Sequence, residues 1–284
     1  MFAFLDQVRP TTWRVLALAI VASVGLSLLW NSVLSSRLVR ETFPNESASR
    51  LILVTLINVL DLLVIVGIVV FRVGRLRPCD VRWNVPAVGR ATWVTLGFWV
   101  AMQPGLALYM WHQGQELQWN DAWNRLGPGY LLGTLVSQLL GNALLEETLF
   151  RGFLLPQFYL QASGVCRKGV ALALALLASQ ILFTLMHLPS QVFLQSLSAA
   201  RILEGQVENL LIGLTAGAVY LVTRNLFVAV GLHSLWNQPA RLLLVPFAPG
   251  VKLVWFSLVA ILLVAWLLAQ RLNGRSSDRR EPSP

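Results

Sequence analysis

Two adjacent glutamates and two widely spaced histidines are the residues of this sequence best suited to chemistry. Glu146 and Glu147 lie in one apolar stretch with Arg151, His187 ends another, and His233 lies in a third. On a helix, Glu147 and Arg151 are four residues apart with the acid first, the favourable order for an ion pair. Glu146 points about 100° away and has no local partner. An unpaired carboxylate in an apolar site can take up and release protons near neutral pH, as a general acid or base must.

His233 and Asn237 are four residues apart, so on a helix both side chains lie on one face. Each polar group also has a plainer interpretation. The two acids would then line a water-filled crevice, His187 would lie at the membrane interface, and His233 and Asn237 would make helix–helix hydrogen bonds. Ionisable groups within membrane segments are unfavourable, however, and a set of them on successive segments indicates a functional site.

Composition places these residues in a membrane protein. The 284-residue chain is 56% hydrophobic and only 12% charged, about half the charge content of roughly 25% in globular proteins. A soluble domain of this size cannot bury so much apolar surface, which excludes an ordinary soluble enzyme. We attribute the net charge of +9 to cations that flank membrane spans, and expect the lipid bilayer but no nucleic acid as a partner.

Eight apolar segments predict an all-α, polytopic membrane protein with about eight transmembrane helices. They are residues 13–30, 51–71, 92–111, 130–160, 170–187, 209–222, 226–236 and 252–269. With both termini in the cytoplasm, the inner segments hold 14 of the Lys and Arg residues and the outer segments hold 7, as the positive-inside rule requires. We predict one transmembrane domain over residues 1–271, with its motif core at about 140–240, and a disordered polar tail over 272–284.

Three short motifs, in chain order on three of the predicted helices, resemble one known family. They are Glu146-Glu147-x-x-x-Arg151, Phe183-x-x-x-His187 and His233-x-x-x-Asn237. In this order they resemble the CPBP family of CAAX-protease and bacteriocin-processing intramembrane proteases, also called the Abi or type II CAAX prenyl endopeptidase family. All three motifs match without substitution, whereas the first 120 residues contain no motif of that family.

The resemblance implies an intramembrane endopeptidase that hydrolyses a peptide bond in a membrane-anchored or lipidated protein or peptide. The glutamate that Glu146 resembles activates the attacking water, and the histidine that His187 resembles holds that water. The pair that His233 and Asn237 resemble stabilises the oxyanion or completes the polar site. These roles agree with what peptide hydrolysis needs: a base for water, donors for the oxyanion and an acid for the leaving amine.

Other polar residues are expected to be structural. Glu147 and Arg151 resemble the family's structural ion pair, and Phe183 resembles its packing position. Asp61 lies outside the motifs, three residues after Asn58 in a predicted span, and we expect it to make a hydrogen-bonded helix contact.

Metal dependence stays open at this stage. Glu146, His187 and His233 could bind zinc with water in the fourth position. If Glu146 were a ligand, however, the remaining base would be Glu147, which helix geometry gives to Arg151. We therefore favour a glutamate-type hydrolase with no cofactor and keep zinc as the alternative.

Two other classes of protein use buried polar residues in this way. A transporter or permease would use them as a relay, although the sequence shows no inverted repeat. A non-catalytic immunity or scaffold protein would keep the fold alone. The compact single-domain plan indicates the bacterial inner membrane, with the endoplasmic reticulum as an alternative location.

Overall fold

The computed structural model describes residues 3–245 and 248–278, which form eight main helices. Labelled α1 to α8 in chain order, they are Trp13–Ser35, Ala48–Val73, Val85–His112, 128–163, Lys168–Leu194, Ala199–Thr223, Leu226–Asn237 and Ala248–Asp278. Each predicted apolar segment lies within one of them. An isolated bridge between Trp119 and Leu243 is the one β-type pairing in the described part of the chain. The predicted all-α fold is confirmed.

Five of these helices are long and apolar enough to cross a membrane: α1, α2, α5, α6 and α8. The chain is therefore an integral membrane protein. Helix α7 has 12 residues, about 18 Å at 1.5 Å per residue, and is shorter than the hydrocarbon core of roughly 30 Å. The count of eight crossings and the cytoplasmic termini stay predictions. Helix α8 runs to Asp278, and the predicted tail from residue 279 onward lies outside the described residues.

Helix α7 lies in the interior of the protein. It packs against α3, α4 and α6, and nine of its 12 residues are buried, including His233. It begins just after α6 because Arg224 ends α6 in a left-handed conformation, with φ of 54°. The Asn225 side chain then caps α7 by accepting a hydrogen bond from the backbone N–H of Phe227 at 3.0 Å. This sharp connection carries His233 into the protein without exposing it to lipid.

Helix α4 changes its winding on both sides of the two glutamates. The segments Gln138–Asn142 and Thr148–Leu154 are π-helical, and Ala143–Glu147 between them is α-helical. Such π-helical turns are rare and occur frequently at functional sites. The second π-helical segment lies close to the chain just before α3. A Cβ on Gly152 would lie only 2.9 Å from the carbonyl oxygen of Val81, so glycine permits this approach.

Residues before α1 tie the N-terminal part of the chain to α4 and α5. Asp6 accepts hydrogen bonds from the Tyr159 hydroxyl at 3.0 Å and from Lys168 Nζ at 2.7 Å. The hydrogen bond from Lys168, followed by that from Tyr159, lowers the pKa of Asp6 below its usual value. Nearby, Phe4 is buried and packs edge-to-face against Tyr220, with ring centroids 5.7 Å apart.

Candidate active site

A cavity of about 420 Å³ lies between α1, α2, α4, α5 and α7. Glu146 on α4, His187 on α5 and Asn237 at the end of α7 all line it. His233 is 3% exposed and lies directly beside Glu146. The structure thus places near one another the four residues for which the resemblance to the CPBP family implies catalytic roles.

Glu146 is the acid that faces the cavity. Its side chain is 18% exposed, and its Oε2 atom lies 3.6 Å from His233 Nε2. That distance is too long for a hydrogen bond. Oε2 is buried and has no hydrogen-bond partner among the described residues. Since a buried carboxylate oxygen is normally hydrogen-bonded, Oε2 is available to a water molecule or to a substrate.

Glu147 faces the protein interior instead, where its side chain is fully buried. One of its oxygens, Oε1, accepts hydrogen bonds from Arg151 Nη1 at 2.9 Å and from His233 Nδ1 at 2.7 Å. Sequence reasoning gave Glu147 to Arg151 alone. In the structure, this carboxylate also holds the imidazole of α7, so the ion pair is joined to the candidate catalytic residues.

Three further groups contact the buried guanidinium of Arg151. Its Nη2 atom donates to Gln180 Oε1 and to the Gly213 carbonyl oxygen, each at 2.9 Å. Its Cζ atom lies 4.6 Å from the ring centroid of Phe183, an arrangement typical of a cation–π contact. A Cβ on Gly213 would collide with Gln180 Oε1. Gln180 and Gly213 were missed from the sequence, although an amide inside the apolar segment 170–187 is a signal for Gln180.

Hydrogen-bond partners determine which nitrogen of each histidine carries a proton. His233 Nδ1 faces the Glu147 carboxylate, and His187 Nδ1 lies 2.8 Å from the Phe183 carbonyl oxygen. Both of these oxygens only accept hydrogen bonds, so both Nδ1 atoms donate. Each neutral imidazole therefore keeps a lone pair on Nε2. For His233, this Nε2 is the atom nearest Glu146.

Phe183 packs between the two histidines. Its ring centroid lies 4.6 Å from that of His187 and 6.0 Å from that of His233. The side chain is 1% exposed, and it also packs edge-to-face against Phe150 at 5.2 Å. Phe183 thus fixes both rings from one side while covering Arg151.

Asn237 extends the cavity lining at the end of α7. Its Nδ2 atom donates to Gln138 Oε1 at 2.9 Å, and the same oxygen accepts a weaker hydrogen bond from Asn142 Nδ2 at 3.4 Å. A carboxamide nitrogen carries two hydrogens. The contact with Gln138 therefore orients Asn237 and leaves one N–H for another acceptor.

No group of three or more His, Cys, Asp or Glu side chains in the described ranges is placed to hold a metal ion. Glu146 and His187 line the cavity and His233 lies beside Glu146, but the three do not form such a group. The Nδ1 atom of His233 is hydrogen-bonded to Glu147, and that of His187 is hydrogen-bonded to the Phe183 carbonyl oxygen.

Comparison with known proteins identifies the part of the chain that contains these residues. Residues 127–238 match the family model described as type II CAAX prenyl endopeptidase Rce1-like. This stretch is an Rce1-like domain. The match confirms the predicted resemblance and covers α4 to α7. It supports a membrane endopeptidase in general terms. No curated protein and no solved structure matches the chain.

The Rce1-like domain forms only part of the cavity, because α1 and α2 complete it. Trp30 Nε1 donates to Asp61 Oδ1 at 2.8 Å, and both residues line the cavity. This is the kind of helix contact expected for Asp61. The two helices also contribute other polar side chains to the lining: Ser23, Ser27, Asn31 and Asn58. Apart from Asp61 and Asn58, sequence reasoning did not single out these residues. The available signal was a polar side chain within an apolar segment.

Proposed function

We propose that the chain is an intramembrane endopeptidase that hydrolyses a peptide bond in a membrane-associated or lipidated protein. One observation carries this proposal: a carboxylate oxygen, Glu146 Oε2, is buried at a cavity and has no hydrogen-bond partner among the described residues, and histidine and amide side chains line the same cavity. Such a group can bind and deprotonate a water molecule.

Glu146 and His187 would act on the attacking water. His187 Nε2 accepts one hydrogen bond from the water because its Nδ1 is committed to the Phe183 carbonyl. Glu146 takes the proton as the water oxygen forms a bond to the carbonyl carbon of the substrate. The carbonyl π electrons move to oxygen and give a tetrahedral oxyanion.

Asn237 and His233 would stabilise this oxyanion. The free N–H of Asn237 can donate directly. In this step His233 acts as an imidazolium, protonated from solvent before the reaction begins: it donates from Nε2 while its Nδ1–H stays on Glu147, whose negative charge stabilises it, and it keeps both protons throughout. Glu146 then returns its proton to the leaving nitrogen as the C–N bond breaks, which yields a carboxylic acid and an amine. These steps balance in atoms and charge and use only side chains of this chain.

The test compares peptide termini in membrane fractions from cells that contain either the wild-type chain or Glu146→Ala at equal abundance. We expect a small set of termini to disappear in the variant, which would also name the substrate. Glu204→Ala is the matched control, because Glu204 forms an exposed ion pair with Arg201 and neither residue lines the cavity. A Glu146→Ala protein that cleaves a native substrate at the wild-type rate would contradict the mechanism.

A transporter is the competing interpretation of the same polar residues. Solute flux into proteoliposomes that disappears with Glu146→Gln, together with unchanged peptide termini, would favour it. We propose that the protein is located in the bacterial inner membrane. Separation of inner and outer membranes from the source cells, followed by detection of the protein in each fraction, would test this location.

A further inference from the structure

Asp61 is a buried acid that lies outside the Rce1-like domain and takes no part in the mechanism above. It lies on α2 and is 8% exposed, and it lines the same cavity as Glu146. Its Oδ1 atom accepts a hydrogen bond from the Trp30 indole at 2.8 Å. Across the described part of the chain, Asp61 forms no ion pair.

The buried acids Glu147 and Asp80 accept more hydrogen bonds than Asp61 does. Glu147 has both a guanidinium and an imidazole on one oxygen. Asp80, 9% exposed, accepts hydrogen bonds from the backbone N–H groups of Arg9 and Arg77 at 3.3 and 2.7 Å. Among the described residues, Asp61 has one hydrogen-bond donor, and that donor is neutral. Because a buried carboxylate without a counter-ion is unfavourable, the missing positive charge indicates a group that enters the cavity from outside.

The charge of the cavity lining indicates which group that is. Among its described lining residues are two acids, Asp61 and Glu146, and no lysine or arginine. In surroundings of low dielectric constant, two carboxylates attract a cation and repel an anion much more strongly than in water. A free carboxylate group of a substrate is therefore a poor fit for this part of the cavity, and a basic side chain is a good one.

We propose that Asp61, oriented by Trp30, is a subsite for a lysine or arginine side chain of the substrate. The chain would then select membrane-associated proteins that carry a basic residue close to the cleaved bond. The inference rests on the proposed function, since it assigns a substrate class to the same cavity. It gives α1 and α2 a role in choosing the substrate, whereas the water-activating residues lie on α4 and α5.

The first test adds Asp61→Asn to the comparison of peptide termini. Asparagine keeps an oxygen that can accept the Trp30 hydrogen bond, so it removes the charge and leaves the contact. We expect the Glu146-dependent termini of the wild type to be enriched in basic residues near the cleavage site, and we expect that enrichment to be lost in Asp61→Asn. Asp121→Asn serves as the control, because Asp121 is exposed and outside the cavity lining.

A second test uses the purified full-length protein and synthetic peptides based on a cleaved sequence. The peptides carry lysine, glutamine or glutamate at the enriched position. The wild type should cleave the lysine peptide with a kcat/KM about tenfold to a hundredfold above that for glutamine, the range expected for a charge-assisted hydrogen bond. The glutamate peptide should be the poorest substrate. Asp61→Asn should bring the lysine-to-glutamine ratio close to one, and Trp30→Phe should lower it partly.

Failure of this inference can be distinguished from failure of the proposed function. If no terminus depends on Glu146, the proposed function is wrong and the subsite with it. If Glu146-dependent termini exist but the wild type cleaves lysine and glutamine peptides equally, the inference alone is overturned. That wild-type comparison decides the matter even if Asp61→Asn fails to fold. An unchanged ratio in folded Asp61→Asn would overturn the inference in the same way.

Discussion

The Nδ1 atom of His233 lies 2.7 Å from Glu147 Oε1, the same oxygen that Arg151 Nη1 reaches at 2.9 Å. One carboxylate oxygen thereby connects a cation on α4 with an imidazole on α7. Loss of this carboxylate would leave the buried Arg151 charge unpaired and would also remove the group that orients His233, a candidate catalytic residue.

Glu147→Gln should therefore destabilise the fold. It leaves the fully buried Arg151 guanidinium without its counter-ion, which lowers the free energy of unfolding by about 3–5 kcal/mol. Unfolding of the purified protein in detergent measures this change. Glu146→Gln is the matched variant and should unfold like the wild type, because Glu146 Oε2 has no hydrogen-bond partner among the described residues. Equal destabilisation by both variants would contradict this division of roles.

Gly213→Ala should disturb the support of Arg151 from another direction. The added methyl group would collide with Gln180 Oε1, which accepts from Arg151. We expect destabilisation of about 1–3 kcal/mol, typical of overpacking, measured by thermal unfolding. Gly25→Ala on α1 has open space around its Cβ and is the control. It should leave stability unchanged or raise it, since alanine favours helix.

Asn237→Ala should lower kcat about a hundredfold to a thousandfold, the effect of removing one oxyanion donor, with a small change in KM. Steady-state kinetics on a cleaved peptide would show the split. Gln138→Ala removes the acceptor that orients Asn237 and leaves the amide itself in place, so a smaller loss of kcat is expected. If the Asn237 variant raised KM alone, the residue would bind substrate and would not stabilise the transition state.

Removal of metal ions should leave activity intact. Our proposed mechanism uses Glu146 as both the base and the proton donor, and it uses His233 and Asn237 as the oxyanion donors. Activity of purified protein after dialysis against a zinc chelator tests this expectation, with metal content measured in parallel. Activity that disappears on chelation and returns with zinc would identify a metalloprotease instead.

Acid should weaken the contact between the N-terminal segment and α5. The hydrogen bond from Lys168 lowers the folded-state pKa of Asp6 below its unfolded value. The Asp6 contribution is thus present above the unfolded pKa and is lost as the pH falls through the folded pKa. Asp6→Asn should lower Tm at neutral pH, and the difference from wild type should vanish in strong acid. A difference that persists there would show that charge is not its origin.

Much of the architecture could be predicted because apolar length is recorded directly in the sequence. All eight predicted segments lie in helices, including α7, whose His233 made its segment look weak. The Rce1-like domain could be predicted because its motif residues keep fixed spacings of four along helices.

The hydrogen bond between Glu147 and His233 could not be predicted, since 86 residues separate them and no periodicity relates them. The ion pair between Glu147 and Arg151 could be predicted from their helix spacing. That prediction covered only one of the two hydrogen bonds that this carboxylate accepts. The wall formed by α1 and α2 was missed for another reason. Single polar residues in apolar segments, such as Ser27 and Asn31, are usually ordinary helix contacts, and only their position around a cavity gives them significance.

The cavity is enclosed by two stretches of chain that are separate in sequence, one before residue 74 and one after residue 137. Mutations that reshape the first stretch need not alter the hydrolytic residues on the second. Descendants of such a protein could therefore acquire new targets while retaining their chemistry, and an engineer could exchange the first two helices to redirect cleavage.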